Sequence, residues 1–180
     1  MKSLIPLALA AFMIPRLLVA PDTRLASSPV AQFDLSRYLG VWFEIARFDH
    51  SFERGLDNVT AEYLLRDDGK IDVINSGWKD GKYQVAEGKA KQPEPLDDPA
   101  HLKVSFFLFF YSDYNVMMLD DNYQIALVGS KSPGYLWILS RTPAVSTDVL
   151  DAVLKEASDR GYDTSRLIWV DQDMNKSIAL

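Results

Sequence analysis

Eight short amphipathic runs, most of them closed by a turn signal, lie between Gly40-Val41-Trp42 and Arg141-Thr142-Pro143, and they restrict the fold more than any other feature of the chain. Val59, Ala61, Tyr63 and Leu65 interleave with Thr60, Glu62, Leu64 and Arg66. Successive side chains of a strand point to opposite faces, so this alternation predicts strands with one buried side. Asp67-Asp68-Gly69-Lys70 and Lys79-Asp80-Gly81-Lys82 carry glycines that accept positive φ, which predicts tight hairpins around strands over Ile71–Trp78 and Tyr83–Lys91. Pro93, Pro95 and Pro99 mark a longer loop, because proline cannot join a central ladder. Runs over His101–Phe107, Tyr114–Leu119, Tyr123–Gly129 and Tyr135–Arg141 follow, and Trp42–Phe48 opens the series. Consecutive hairpins make neighbours antiparallel. The chain therefore reads as all-β, an eight-stranded antiparallel up-and-down barrel. Such an interior is filled by side chains or holds one small ligand.

After Pro143 the period changes. Val149, Leu150, Val153, Leu154 and Ala157 follow helical spacing, with Ser146 as N-cap and Gly161 as the stop. One apolar stripe predicts a C-terminal α-helix packed on the outer wall. Leu167–Val170 reads as a short last strand, and residues 173–180 as a polar tail that frays. At the other end Lys2 precedes the apolar stretch Leu4–Ile14, which has the length of a signal-peptide core and is too short to span a bilayer. Residues 1–30 are thus expected to be a signal-like apolar segment plus linker, and the protein to be exported.

The net charge of −6 argues against nucleic acid as a partner, because phosphate binding needs a basic face. The sequence contains no cysteine, so these residues supply no disulfide, thiolate metal site, cysteine nucleophile or thiol-linked lipid. His50 and His101 are too far apart in sequence to argue for a metal site. His50 reads as an exposed loop residue beside Asp49 rather than a member of a catalytic triad. No catalytic residue, metal or cofactor is expected.

Alternating strand direction places the connections 67–70, 92–100 and 120–122 at the end where Trp42 begins, and the eighth strand finishes there. Gly40, Trp42, Asp120, Tyr123 and Arg141 are therefore expected to gather at one closed end. A lone inward arginine is costly unless its charge is satisfied, which ties Arg141 to that cluster. Loops 48–57, 79–82, 108–113 and 130–134 define the opposite, open end.

Parity also names the lining. Glu62 and Arg66 outside put Ala61 and Tyr63 inside; Asp72 outside leaves Val73 and Asn75 inward. Glu87, Lys89 and Lys91 share one face, so the small residues Ala86, Gly88 and Ala90 share the inner one and leave room. Lys103 outside turns Leu102, Val104 and Phe106 in. Tyr135, Trp137 and Leu139 share the parity of Arg141. For the sixth strand two parities remain open, Val116 with Met118 or Asn115 with Met117. This lining is apolar and aromatic with a few polar handles, as ligand pockets are. Arg54, His50 and Lys82 are loop cations near the mouth that a ligand's phosphate head would meet. The run Phe106–Tyr111 reads either as an apolar lip that touches a membrane or a second subunit, making a homodimer, or as alternate residues packed inward.

Gly40-x-Trp42, Asp120-x-x-Tyr123-x-x-Ala126 and Arg141, at these spacings and followed by a helix, resemble the lipocalins. The runs Tyr38–Phe48, Phe52–Leu56 and Tyr135–Pro143 resemble in particular the bacterial outer-membrane lipocalins of the apolipoprotein D type; Leu119 stands where threonine is usual. The resemblance implies a calyx over residues 31–172, with the arginine lying over the tryptophan ring at the closed end. It implies a fatty acid or lysophospholipid as ligand and a place in the periplasm or outer membrane. Bacterial members are usually anchored through an acylated cysteine, which this chain lacks. Two other classes stand beside a binder: a lipid-modifying enzyme of the envelope, and a structural envelope protein with a filled barrel.

Overall fold

The computed structural model describes residues 25–107 and 110–178. The apolar segment over residues 1–24, the tail's last two residues, and Leu108 and Phe109 of the aromatic run lie outside the described residues. A single turn of helix, α1 (Leu35–Tyr38), capped by the Asp34 carboxylate, leads into β1 (Gly40–Arg47). β2 (Asp57–Leu65), β3 (Ile71–Lys79), β4 (Lys82–Lys91), β5 (His101–Phe107), β6 (Phe110–Leu119), β7 (Ile125–Gly129) and β8 (Leu136–Ser140) follow in antiparallel order. β1 pairs with β8 on one side and β2 on the other, which closes an eight-stranded barrel. A ninth strand, β9 (Ile168–Trp169), adds to β1 at Ala46 and Arg47.

Three boundaries depart from the sequence expectation. β6 begins at Phe110 rather than Tyr114, so the loop expected over 108–113 is largely strand. Asp113 stays in that ladder because its carboxylate takes His101 Nε2 at 2.8 Å and Lys103 Nζ at 2.6 Å from β5. β7 begins at Ile125, not Tyr123. The Asp120 carboxylate draws in the amides of Asn122, Gln124 and Ile125, and Tyr123 takes φ +59° in that turn. Tyr135 and Arg141 flank β8 instead of lying within it.

The core has two compartments. Inside the barrel Tyr38, Trp42, Tyr63, Ile71, Leu102 and Val116 are buried together. Outside, α2 (Thr147–Asp159) lays Val153 and Ala157 on a wall made by Phe48, Met117, Leu127, Leu136 and Ile138. The sixth-strand ambiguity resolves with Val116 inward and Met117 under α2, the ladder shifting register between Val116 and Met118. β1 has a second shift, between Glu44 and Ala46. Ile45 and Ala46 both join the outer cluster, so the inward face runs Trp42, Glu44, Arg47, and a one-residue bulge has turned an outward arginine in.

The described part of the polar tail is helical. Residues Asp173–Ile178 form α3, held at its start by Gln172, which is 2% exposed and donates to the carbonyls of Glu44 (2.8 Å) and Val59 (2.9 Å). Asn175 Nδ2 in turn donates to Gln172 Oε1 at 2.6 Å. No helix among the described residues is long and apolar enough to cross a membrane. Removing the Gln172 amide leaves two buried carbonyls unmatched. Gln172→Ala is expected to destabilise the fold by about 1–3 kcal/mol, read as a lowered Tm with unchanged far-ultraviolet dichroism.

Candidate functional site

The closed end is built by carbonyls. α1 and the turn after it bring the carbonyl oxygens of Arg37, Tyr38, Leu39 and Val41 around one point, and Gly40 makes that turn with φ +89°, a conformation that favours glycine. The Arg141 guanidinium fills the point. Its Nη1 donates to Val41 O at 2.6 Å, and its Nη2 to Arg37 O, Tyr38 O and Leu39 O at 2.8–3.0 Å. Its centre lies 3.9 Å over the fully buried Trp42 ring, whose Nε1 donates to Tyr38 O. Tyr123 lies at the same end: its hydroxyl accepts from Asp34 N at 2.7 Å, Arg37 covers its ring at 4.1 Å, and its carbonyl accepts from Arg141 Nε. The structure thus brings Gly40, Trp42, Asp120, Tyr123 and Arg141 to one end.

The thirteen residues named for the lining divide by height. Ala61, Tyr63, Val73, Ala90, Leu102 and Leu139 are buried near the base, with Val104 and Trp137 packed against them. Asn75 is half-buried, Gly88 half-exposed, and Ala86, Phe106 and Tyr135 are exposed. Along β4 the inward face therefore opens from buried Ala90 to exposed Ala86. β5 pairs with β4 at Lys89, Ala90 and Lys91, below that exposed stretch. A side chain at Gly88 would meet the Phe106 ring at 2.8 Å, so the glycine lets that ring close over β4.

Sequence reasoning missed half of the interior. Tyr114 Oη bridges Tyr38 Oη (2.6 Å) and Tyr63 Oη (2.8 Å), and burial holds all three phenols above their ordinary range, hence neutral. Above them lies a charged group. Arg47 Nη1 donates to Glu44 Oε1 at 2.6 Å, and Arg47 Nη2 donates to the carbonyls of Glu53 and Leu56. Glu53 comes from the loop between β1 and β2 and reaches both walls: Trp137 Nε1 donates to its Oε2 at 3.1 Å, Asn75 Nδ2 to its Oε1 at 3.5 Å. Desolvation and the neighbouring carboxylate of Glu53 push Glu44 up to about 8, and burial raises Glu53 too, so the pair retains a proton at neutral pH. The parity of Trp42 already implied an inward Glu44; the bulge that admits Arg47 and the loop that inserts Glu53 leave no local signal.

His50 is a correction. It is buried rather than exposed, between Phe52 (5.1 Å), Tyr135 (5.2 Å) and Trp137 (4.7 Å), and desolvation lowers it to about 4. It is no loop cation, and Arg54 is engaged by Asp49 at 2.6 Å. These rim residues border a cleft of ≈ 280 Å³ between His50, Phe52, Gly134 and Tyr135. Among the described residues no three His, Asp or Glu side chains gather to hold a metal ion.

Comparison with known proteins places these features. A family model described as a lipocalin-like domain matches residues 33–172. Outer membrane lipoprotein Blc of Vibrio cholerae is 50% identical over 147 residues, covering 80% of this chain and 85% of its own. Outer membrane lipoprotein Blc of Escherichia coli is 48% identical over 171 residues, covering 94% and 96%. Among solved structures, insecticyanin of the tobacco hornworm Manduca sexta superposes with a TM-score of 0.66 at 27% identity, covering 80% of this chain and 83% of that one.

Two outcomes follow from this geometry. Arg141→Ala strips the carbonyls of Arg37, Leu39 and Val41 of the guanidinium's N–H groups, leaves Tyr38 O to Trp42 Nε1 alone and uncovers Trp42; it is expected to cost about 2–4 kcal/mol by denaturant unfolding. Glu44 is more basic folded than its ordinary 4.5, so its contribution to stability is full below that pH and is lost as pH rises toward about 8. His50, with its folded value lowered, acts oppositely, losing stability as pH falls from 6.5 toward about 4. Both Glu44→Gln and wild type keep His50. The Tm of Glu44→Gln relative to wild type is therefore expected to rise steadily from about pH 5 to about pH 8.

Proposed function

The chain belongs to the lipocalin-like family, and from that membership we propose that it binds a fatty acid or lysophospholipid in its barrel and stores or transfers it during maintenance of a bacterial envelope. Lipocalins generally bind hydrophobic ligands rather than transform them, and the ligand is expected to leave unchanged. The observation that carries the reading is the inward face of β4, where Ala90 is buried, Gly88 half-exposed and Ala86 exposed. Solvent reaches both faces of β4 over residues 82–87, so this wall stands open near the mouth, as an open cup requires and a filled barrel does not.

Burying an alkyl chain supplies the affinity. Each methylene removed from water contributes about 0.8 kcal/mol, so ten contribute about 8 kcal/mol before ordering costs, in the range of micromolar binding. We assign the chain to the upper wall, against Ala86, Gly88, Val104 and Phe106, because the lower interior is taken up by Trp42 and the three tyrosines. The names of the Blc relatives, outer membrane lipoproteins, support an envelope location. These 180 residues contain no cysteine.

Ala86→Trp fills the upper wall at an exposed position. It is expected to weaken displacement of a neutral naphthylamine reporter by lysophospholipid at least tenfold while shifting the Tm by no more than a few degrees. Unchanged displacement would move the ligand elsewhere, and wild-type protein that takes up neither reporter nor lipid would remove the binding function.

A further inference from the structure

We infer that the Glu53–Asn75 group inside the barrel is a head-group site selective for single-chain amphiphiles that end in a primary ammonium, over those that end in a free carboxylate. The inference rests on the lipid-binding reading above and narrows its ligand.

Charge is the first argument. Two carboxyls, Glu44 and Glu53, face one guanidinium, Arg47, and all three are at least nine-tenths buried. His50 is neutral beside them, and the nearby phenol of Tyr63 is neutral as well. A ligand carboxylate would make three acidic groups around one cation away from water, whereas an ammonium would make two and two. At short range in a desolvated site that difference dominates. The ammonium takes the place of the proton that the two carboxyls otherwise retain.

Unmet hydrogen bonding is the second, and it is independent of the first. Asn75 Oδ1 is buried without a partner and can only accept. His50 Nε2 is likewise unpartnered, 3.7 Å from Glu53 Oε2, beyond hydrogen-bond reach. Glu53 accepts one bond at each oxygen, from Trp137 and from Asn75, leaving lone pairs on both. Arg47 Nε is an unpartnered donor, its guanidinium otherwise held by Glu44, Glu53 and Leu56, and His50 Nε2 donates or accepts according to its tautomer. An ammonium with three N–H donors matches Asn75 Oδ1 and the spare lone pairs of Glu53, to which a carboxylate, which only accepts, offers nothing.

Register sets the height of the head site. Asn75 sits opposite Ala61 on β2 and Ala86 on β4, the exposed end of the small-residue stripe, and Val73 sits opposite Gly88, nearer the closed end. A chain that follows the stripe from the head site runs from Ala86 past Gly88, away from the mouth.

The groups facing Glu53 are Arg47 and Glu44 from β1, His50 from its own loop, Tyr63 from β2, Asn75 from β3 and Trp137 from β8. Of these Glu44, pushed up to about 8 by burial and by the Glu53 carboxylate, exchanges a proton near neutrality, so the preference for ammonium should grow as pH rises from about 6 to about 8.5. The experiment is displacement of a neutral naphthylamine reporter from the full chain by dodecylamine, dodecanol and dodecanoate, equal in chain length. Dodecylamine is expected to compete at least tenfold better than dodecanoate, with dodecanol between. Glu53→Gln, which keeps an acceptor for Trp137, should shrink the ratio to about threefold or less. Should that variant fail to fold, the wild-type ranking and its rise with pH decide the matter. Dodecanoate competing as well as dodecylamine, a ratio unmoved in folded Glu53→Gln, or a ratio that falls with pH would overturn the inference while leaving lipid binding intact. If none of the three displaces the reporter, the binding function itself fails.

Discussion

One guanidinium holds the base of this molecule together. Arg141 arrives at the end of β8, a hundred or more residues after the carbonyls of α1 and β1 that it satisfies, and joins α1, the start of β1 and the turn before β7. Stacking on Trp42 covers one face of the charge, and carbonyl oxygens ring its edge. A half-buried cation is tolerable only when its donors are matched, and here backbone rather than carboxylate matches them. Among the described residues no carboxylate pairs with this guanidinium, so the stopper at the base is held by backbone and by the Trp42 ring.

From that seal upward the interior changes character. Trp42 and the tyrosine trio fill the bottom, a charged layer of Glu44, Arg47 and Glu53 lies above, and small residues open along β4. Buried carboxyls and guanidinium seldom add stability against a well-packed apolar core. Glu53 spans the barrel within this layer, from Trp137 on β8 to Asn75 on β3.

Much of the fold was legible in sequence because strand parity and turn chemistry are local. The eight strands, the outer helix and the end at which Gly40, Trp42, Asp120, Tyr123 and Arg141 meet all follow from alternation and direction. The site was legible only in its apolar part. The register shift in β1 sends Arg47 inward against its parity, and Glu53 enters from a loop whose sequence gives no direction. His50 looked exposed because loop histidines usually are, and three aromatic rings that surround it come from positions 52, 135 and 137. The tail looked polar and free, but a single buried glutamine ties it to β1 and β2.

A cup sealed at one pole and accessible at the other responds to ligand unevenly. Amide hydrogen exchange with and without saturating single-chain lipid reads this directly. Slowed exchange along residues 82–88 and in the loop over residues 48–57, with no change around Trp42 and Arg141, is the predicted pattern. Protection confined to the outer face beneath α2, or no protection anywhere, would contradict it.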